Sequence, residues 1–280
     1  MSVEKRNDTP DQIRPVGPPA PANWLSSYVE EDTSTQSMQE YRILPRFKVI
    51  QSLSDTTLRD EFKEGGVILT PGNISVAAPK TPFLFAPMFF FTEFIKWNDR
   101  RDKSLPAIGE RTFDKNSPLA VKCRNSESRE EGYGPTDKKG VHAFNARYCE
   151  HLNFAGVLYN PETGIAGGIP GTLSFSRGEF MQGKNFVSAI MMRKIGGKQA
   201  PLWSQVWQFQ SVFREKGGDK KWWGLDFKNP ENPYISEQDA PVARALNKEL
   251  AELFEQQRLG VDRSDEVEEV VSADPATSEM

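Results

Sequence analysis

Residues 201–227 read PLWSQVWQFQSVFREKGGDKKWWGLDF. Strand alternation puts Trp203, Gln205, Trp207, Phe209, Ser211 and Phe213 on one face, and Ser204, Val206, Gln208, Gln210 and Val212 on the other. Both faces are mixed and neither is plainly the core face; an aromatic stripe on a strand is more often core than binding surface. REKGGDKK, residues 214–221, has a Gly-Gly centre between charged flanks and reads as a basic hairpin. KWWGLDF is then the return strand. Trp222 and Trp223 are adjacent and point to opposite faces, which places one in the core and the other near the surface. A long strand, a tight hairpin and a returning strand define an antiparallel β domain.

The same pattern extends outward along the chain. RILPRFKVIQ mixes apolar and basic residues in an extended run. GGVILTPGNISVA reads as two short strands around a Pro-Gly turn. FLFAPMFFFTEFIKW, residues 83–97, is aromatic-rich like a buried strand pair. FAGVLYNPETGIAGG, GTLSFSRG and NFVSAIMMRK read as further strands. GIAGGIPG, residues 164–171, reads as a turn, because the strand after it leaves no helix N-terminus for a dinucleotide. The total is roughly eight strands. One helix is specified, over about 239–259. Ser236 caps it with Asp239 three residues on, Val242, Leu246, Leu250, Leu253 and Phe254 share a face, and Gly260 stops it.

The chain has 280 residues and 37% hydrophobic content, with 20 prolines and 21 glycines, so part of it is expected to lie outside a packed core. Two cysteines make no disulfide framework, which favours a reducing, intracellular setting. MSVEKRNDTPDQIRPVG has no apolar run of signal-peptide type, and no stretch reaches the roughly 20 apolar residues of a membrane span. Cytoplasmic location and no membrane association are expected. The net charge of −4 is uneven: residues 1–40 carry −4, 41–230 carry +9, 231–260 carry −3 and 261–280 carry −6. Residues 1–40 read as a disordered proline-rich arm, 41–260 as the folded domain, and 261–280 as an acidic disordered tail.

Both cysteines and both histidines fall in the window 123–151, as Cys123, His142, Cys149 and His151. Thiolate and imidazole are zinc ligands, and four of them close a tetrahedral structural site. Such an ion would order the polar loop SESREEGYGPTDKKG within an insertion at about 98–152. The competing reading is buried cysteines and ordinary loop histidines. No P-loop or H-E-x-x-H motif is present, and no carboxylates group into a recognisable catalytic site. The chain is therefore read as a non-enzyme.

Residues 177–228 carry 10 basic and 4 acidic side chains and four of the six tryptophans, a mixture suited to one class of ligand. Single-stranded nucleic acid presents phosphates and unstacked base faces together, whereas a duplex hides its base faces. The candidate stacking residues are Trp203, Trp207, Phe209, Trp222 and Trp223. The candidate phosphate contacts are Arg193, Lys194, Lys198, Arg214, Lys216, Lys220 and Lys221, with Arg46 and Lys48 on the first strand.

GTLSFSRGEFMQGKNFVSAIMMRK followed by PLWSQVWQFQSVFREKGGDKKWWGLDF is similar to the C-terminal half of OB-fold single-stranded DNA-binding proteins of bacteriophages. LPRFKVIQ and the acidic tail resemble the same layout. The resemblance implies a mainly β, OB-fold-like antiparallel barrel with a loop-rich insertion. It also implies coating and protection of single-stranded DNA in replication, recombination or repair. Replication or recombination proteins would be recruited through the tail from Val261, and homo-oligomers are compatible. The chain departs from many such proteins by ending in Ser278-Glu279-Met280 where they carry an aromatic residue. Two rival classes stand beside this one: a virion structural or assembly protein, and a metal-dependent nuclease.

Overall fold

The computed structural model describes residues 43–263 except 53, 55, 99–105, 125–147 and 217–219, and leaves the side chains of Lys216 and Lys220 undescribed. The expected N-terminal arm, His142 and nearly all of the acidic tail therefore lie outside the described residues.

The fold is mainly β. Strands β1 (Ile43–Leu44), β2 (Arg46–Val49), β3 (Val67–Thr70), β4 (Ile74–Ala77) and β5 (Phe83–Trp97) come first, with helix α1 (Thr56–Glu61) between β2 and β3. Next are β6 (Ile108–Thr112), α2 (Pro118–Arg124), β7 (Tyr148–Asn160) and β8 (Gly164–Phe175). Helix α3 (Phe180–Met192) leads into the small hairpin of β9 (Lys194–Ile195) and β10 (Lys198–Gln199). The chain continues through β11 (Trp207–Lys216), β12 (Lys220–Lys228), helix α4 (Ala240–Glu255) and β13 (Gly260–Val261).

Nine strands form one sheet in the order β12-β11-β5-β7-β8-β2-β3-β4, with β6 also paired to β5. The pairs are antiparallel except β2 with β8. The expected closed barrel is not formed: the sheet is open. Its two ends approach each other through side chains rather than a backbone ladder. The Gln51 carboxamide accepts the Trp223 N–H (2.8 Å) and donates to the Trp223 carbonyl (2.7 Å). The Lys80 N–H donates to Ser211 Oγ (2.9 Å), and Gln210 Nε2 donates to the Lys80 carbonyl (2.6 Å). The Glu179 carboxylate takes the Leu225 N–H at 3.1 Å. Side chains that occupy an edge in this way satisfy its polar groups and block strand addition.

Residues 83–97 are one strand, not a strand pair, because β5 is covered on both faces. One face joins a core of Phe85, Phe154, Phe175, Phe186 and Phe209 with α3. The other joins Ala86, Met88, Phe91 and Val157 with α4. Burial on both sides removes the polar half of the usual alternation. Pro87 sits at the register shift between Pro87 and Phe89, where a missing N–H costs least.

Residues 164–171 belong to β8 rather than to a turn; the turn is at residues 161–163. Gly171 is needed for close packing, since a Cβ there would lie 2.6 Å from the Phe47 ring. NFVSAIMMRK is mostly helical. In α3 the buried residues are Gly183, Phe186 and Ile190, a spacing of helical period that a short apolar run conceals. The expected insertion contains β6 and α2, and β7 begins inside it at Tyr148.

Helix α4 starts one residue later than expected, with Asp239 rather than Ser236 at its N-cap, and ends at Glu255; Gly260 lies in β13 and does not stop it, and Val242 is exposed while Ala243 is buried. The Asp239 carboxylate ties its start to the β7–β8 turn. It accepts from the Ile165 N–H (2.7 Å), the Ser236 hydroxyl (2.7 Å) and the Tyr159 hydroxyl (3.3 Å). Burial acts to raise the Asp239 pKa, but these hydrogen bonds outweigh it and the value is lowered. Burial and the Asp239 charge raise the Tyr159 pKa.

Beyond α4 the described chain continues to Arg263. Gly260 and Val261 pair in parallel with Ile43 and Leu44. Arg263 Nη2 donates to Glu93 Oε2 (2.6 Å), Asn153 Oδ1 (3.1 Å) and Ser174 Oγ (3.1 Å). Arg111 forms a second ion pair with the same buried carboxylate.

Candidate nucleic-acid interface

The β11–β12 hairpin brings Phe213 opposite Trp223, Arg214 opposite Trp222, Glu215 opposite Lys221 and Lys216 opposite Lys220. Alternation along β11 puts Trp207, Phe209 and Ser211 on one face, as read from the sequence, and the fold makes that face the buried one. Phe213 is next on that face, but the core ends before it, and it is 50% exposed. Its ring meets Trp223 at 5.4 Å between centroids and 66° between planes.

The Trp223 ring covers Gly65, where a Cβ would lie 2.7 Å from the indole. Gly65 also has φ +81°, a conformation glycine adopts without strain. Lys80 Nζ stands 6.0 Å from the Trp223 ring. An aromatic pair and a cation thus meet where the two ends of the open sheet approach.

The other candidates divide sharply. Trp207 and Phe209 are core residues, packed on Phe186 and Phe227. Trp203 lies half-buried in the 3-10 turn Leu202–Ser204, against the core beneath α4. Trp222 is half-buried, and its Nε1–H donates to Glu179 Oε1 at 2.8 Å.

Arg214 is committed to Glu179 and Asp226, each at 2.8 Å. Burial opposes its charge, but hydrogen bonds to Asp226 and Glu179 prevail and raise its pKa. Arg193 lies 3.7 Å above the Trp207 ring and donates to the carbonyls of Val206 (3.0 Å) and Pro233 (2.7 Å). Burial lowers its pKa. Both arginines act as internal braces.

Lys48 is buried and Arg46 half-buried. Lys194 and Lys198 are exposed on the β9–β10 hairpin, some way along the chain from the aromatic pair. Lys221 is exposed and lies 3.5 Å from Glu215. Lys216 and Lys220 are register partners at the hairpin end, beyond which their side chains are not described.

Sequence reading missed Lys80, Gln51 and Glu179, and left Phe213 out of the stacking pool. Lys80 and Ser211 are 131 residues apart, and Gln51 and Trp223 are 172 apart. No local pattern links such pairs.

Three members of the Cys/His window, Cys123, Cys149 and His151, are among the described residues. Cys123 packs with Phe94, Leu119 and Ala120 under α2. Cys149 packs with Ile95 and Trp97, and His151 lies two residues on along the same strand. Cys123 and Cys149 pack in different clusters, although the Cys123 thiol lies close enough to Cys149 to interact with its backbone and its charge. Burial, with Cys149 second, pushes the Cys123 thiol up to about 12. Among the described residues, no three of His, Cys, Asp and Glu are grouped to hold a metal ion. A cleft of about 370 Å³ between Arg111–Asp114 and Gln257–Gly260 shares no residue with the hairpin. Among the described residues, no helix is long and apolar enough to cross a membrane.

An open, mainly β sheet with a basic, aromatic hairpin defines the class that the geometry supports. A family model described as Pam3 phage gp34-like protein matches residues 19–257, and the chain belongs to that family. The match is in keeping with a bacteriophage origin. No curated protein and no solved structure matches the chain.

Proposed function

We propose that the protein binds single-stranded DNA, using Phe213 and Trp223 for base stacking and Lys80, Lys221 and the hairpin-end lysines for phosphate. The observation that carries this reading is the exposed Phe213 ring set edge-on to Trp223, with Lys80 beside the pair. A half-exposed phenylalanine at the end of a strand contributes little to the core. Beside a cation, it offers a base a π-face worth about 1–3 kcal/mol and a phosphate a counter-charge. The reading needs no closed barrel, since the aromatic pair lies at the opening between the sheet ends. Coating of strands during replication, recombination or repair, in the host cytoplasm, would be the biological setting.

The test is intrinsic tryptophan fluorescence during titration with oligo-dT at low and moderate salt. Saturable quenching that weakens with salt is expected, with the Phe213→Ala chain binding about 5- to 150-fold more weakly, as the loss of one stacked base predicts. No change at low salt, together with a stable oligomer, would favour the assembly reading. Cleavage of the oligonucleotide with Mg²⁺ or Mn²⁺ would favour the nuclease.

A further inference from the structure

Lys48 is 4% exposed, as buried as Arg263. The strand that carries it decides its surroundings. Arg46 in β2 pairs in parallel with Thr172 in β8, and in a parallel pair both strands advance together, so Lys48 comes level with Ser174. Alternation keeps Arg46 and Lys48 on one face and sends Phe47, between them, into the opposite core with Phe85. The face of Arg46 and Lys48 is the one onto which Arg263 folds, with its Nη2 at Ser174 Oγ (3.1 Å) and Glu93 Oε2 (2.6 Å). Glu93 also takes Arg111, so one carboxylate there already serves two arginines. A lysine is almost never buried to this degree without acidic partners, because its charge gives up hydration.

The chain that leaves β13 heads for this lysine. Gly260 and Val261 pair in parallel with Ile43 and Leu44, and the Asp262 N–H extends the ladder to the Leu44 carbonyl (3.1 Å). β1 leads through Pro45 into β2, so the segment after β13 travels in the direction of β2. Continuing the count brings Arg263 level with Arg46 and residue 265 level with Lys48. Adjacent strands lie about 4.8 Å apart, and residues 264–265 cover up to about 7 Å. Residues 264–269 read SDEVEE, with Asp265 and Glu266 the first acids in line. Starting point, direction and register thus agree with the charge of this segment.

We propose that residues 264–269 run on beside β2 in the same chain and seat the carboxylates of Asp265 and Glu266 on Lys48. The first-strand lysine is then neutralised by the chain itself and not by a nucleic-acid phosphate. The start of the acidic tail belongs to the fold, and the tail is open to a partner only beyond residue 269. The contact stands whether or not DNA is the ligand.

The test is acetylation of lysines with an activated acetate ester, read by mass spectrometry at Lys48. Lys248, whose side chain is 79% exposed, is the internal reference. Lys48 is expected to react several-fold faster in a chain ending at Arg263, and at the native rate in a chain ending at Val270. The full-length D265N/E266Q variant keeps the length and removes the two charges, and circular dichroism checks its fold. It is also expected to expose Lys48 to the reagent, and it decides the matter alone if the chain ending at Arg263 does not fold. A native rate at Lys48 in D265N/E266Q would overturn the proposal. So would a raised rate in the chain ending at Val270, which would put the covering acids farther along the tail. Protection of Lys48 lost on dilution would overturn it as well, since the carboxylates would then come from a second copy.

Discussion

Two stretches of this chain are rich in aromatic residues, and they serve opposite purposes. Residues 83–97 lie in a strand packed on both faces, and Phe85, Phe94 and Trp97 are fully enclosed. Residues 207–223 begin the same way, with Trp207 and Phe209 in the core, but end at Phe213 and Trp223 on the opening between the sheet ends. The difference arises from what covers each strand. Helices α3 and α4 sandwich the middle of β5, whereas the hairpin runs past the end of α3, where Trp223 meets Gly65, Lys80 and Gln51. An aromatic residue is therefore core or surface according to the layer above it and not according to its neighbours in sequence.

Four substitutions probe that contrast, in order of decreasing effect on stability. Glu93→Ala in β5 leaves the buried Arg263 without its carboxylate and Arg111 without its partner. A loss of about 3–5 kcal/mol is expected, measured by urea denaturation. A loss below about 1 kcal/mol would mean that the buried ion pair does not anchor the C-terminal strand.

Asp239→Asn removes a carboxylate that accepts three hydrogen bonds at the start of α4, and is expected to cost about 2 kcal/mol at pH 7. The Asp239 pKa is lowered in the folded state, so its contribution is present above the unfolded carboxylate pKa and is lost as pH falls through the folded value. The gap between native and Asp239→Asn chains should accordingly close below about pH 4. A gap independent of pH would show that the amide loses shape rather than charge.

Gly65→Ala introduces a Cβ into the Trp223 ring at a positive φ, and should cost about 1–2 kcal/mol. It should also change tryptophan emission by displacing the indole. Unchanged emission would place Trp223 elsewhere.

Phe213→Ala should alter stability by less than about 0.5 kcal/mol, while lowering affinity for oligo-dT as described above. A large stability loss would move Phe213 to the same category as the β5 aromatics.

Much of the local structure was legible in the sequence. Gly-Gly between charged flanks marked the β11–β12 hairpin, the Pro-Gly turn marked β3–β4, and Ser236 with Asp239 marked the start of α4. Each is decided by residues within a few positions of one another, through turn conformation, capping or period. The same local reading failed where burial erased the period. Residues 83–97 look alike whether they form one doubly covered strand or two, and the apolar run in α3 hid Gly183, Phe186 and Ile190. GIAGGIPG looked like a turn because a glycine required by the approach of Phe47 looks like one required by φ.

The sequence by itself determined a mainly β chain with a basic body, acidic ends and an aromatic, basic hairpin, because these follow from side-chain chemistry and short-range geometry. Tertiary structure alone decided that the sheet stays open and that Arg193 and Arg214 brace the interior. It also decided that Cys123 and Cys149 lie in separate clusters, and that Phe213, Trp223 and Lys80 meet. Each of those outcomes depends on partners many residues away. The free energy of burying or pairing a side chain is set by the neighbours that the fold supplies, and a linear sequence does not say which neighbours those are.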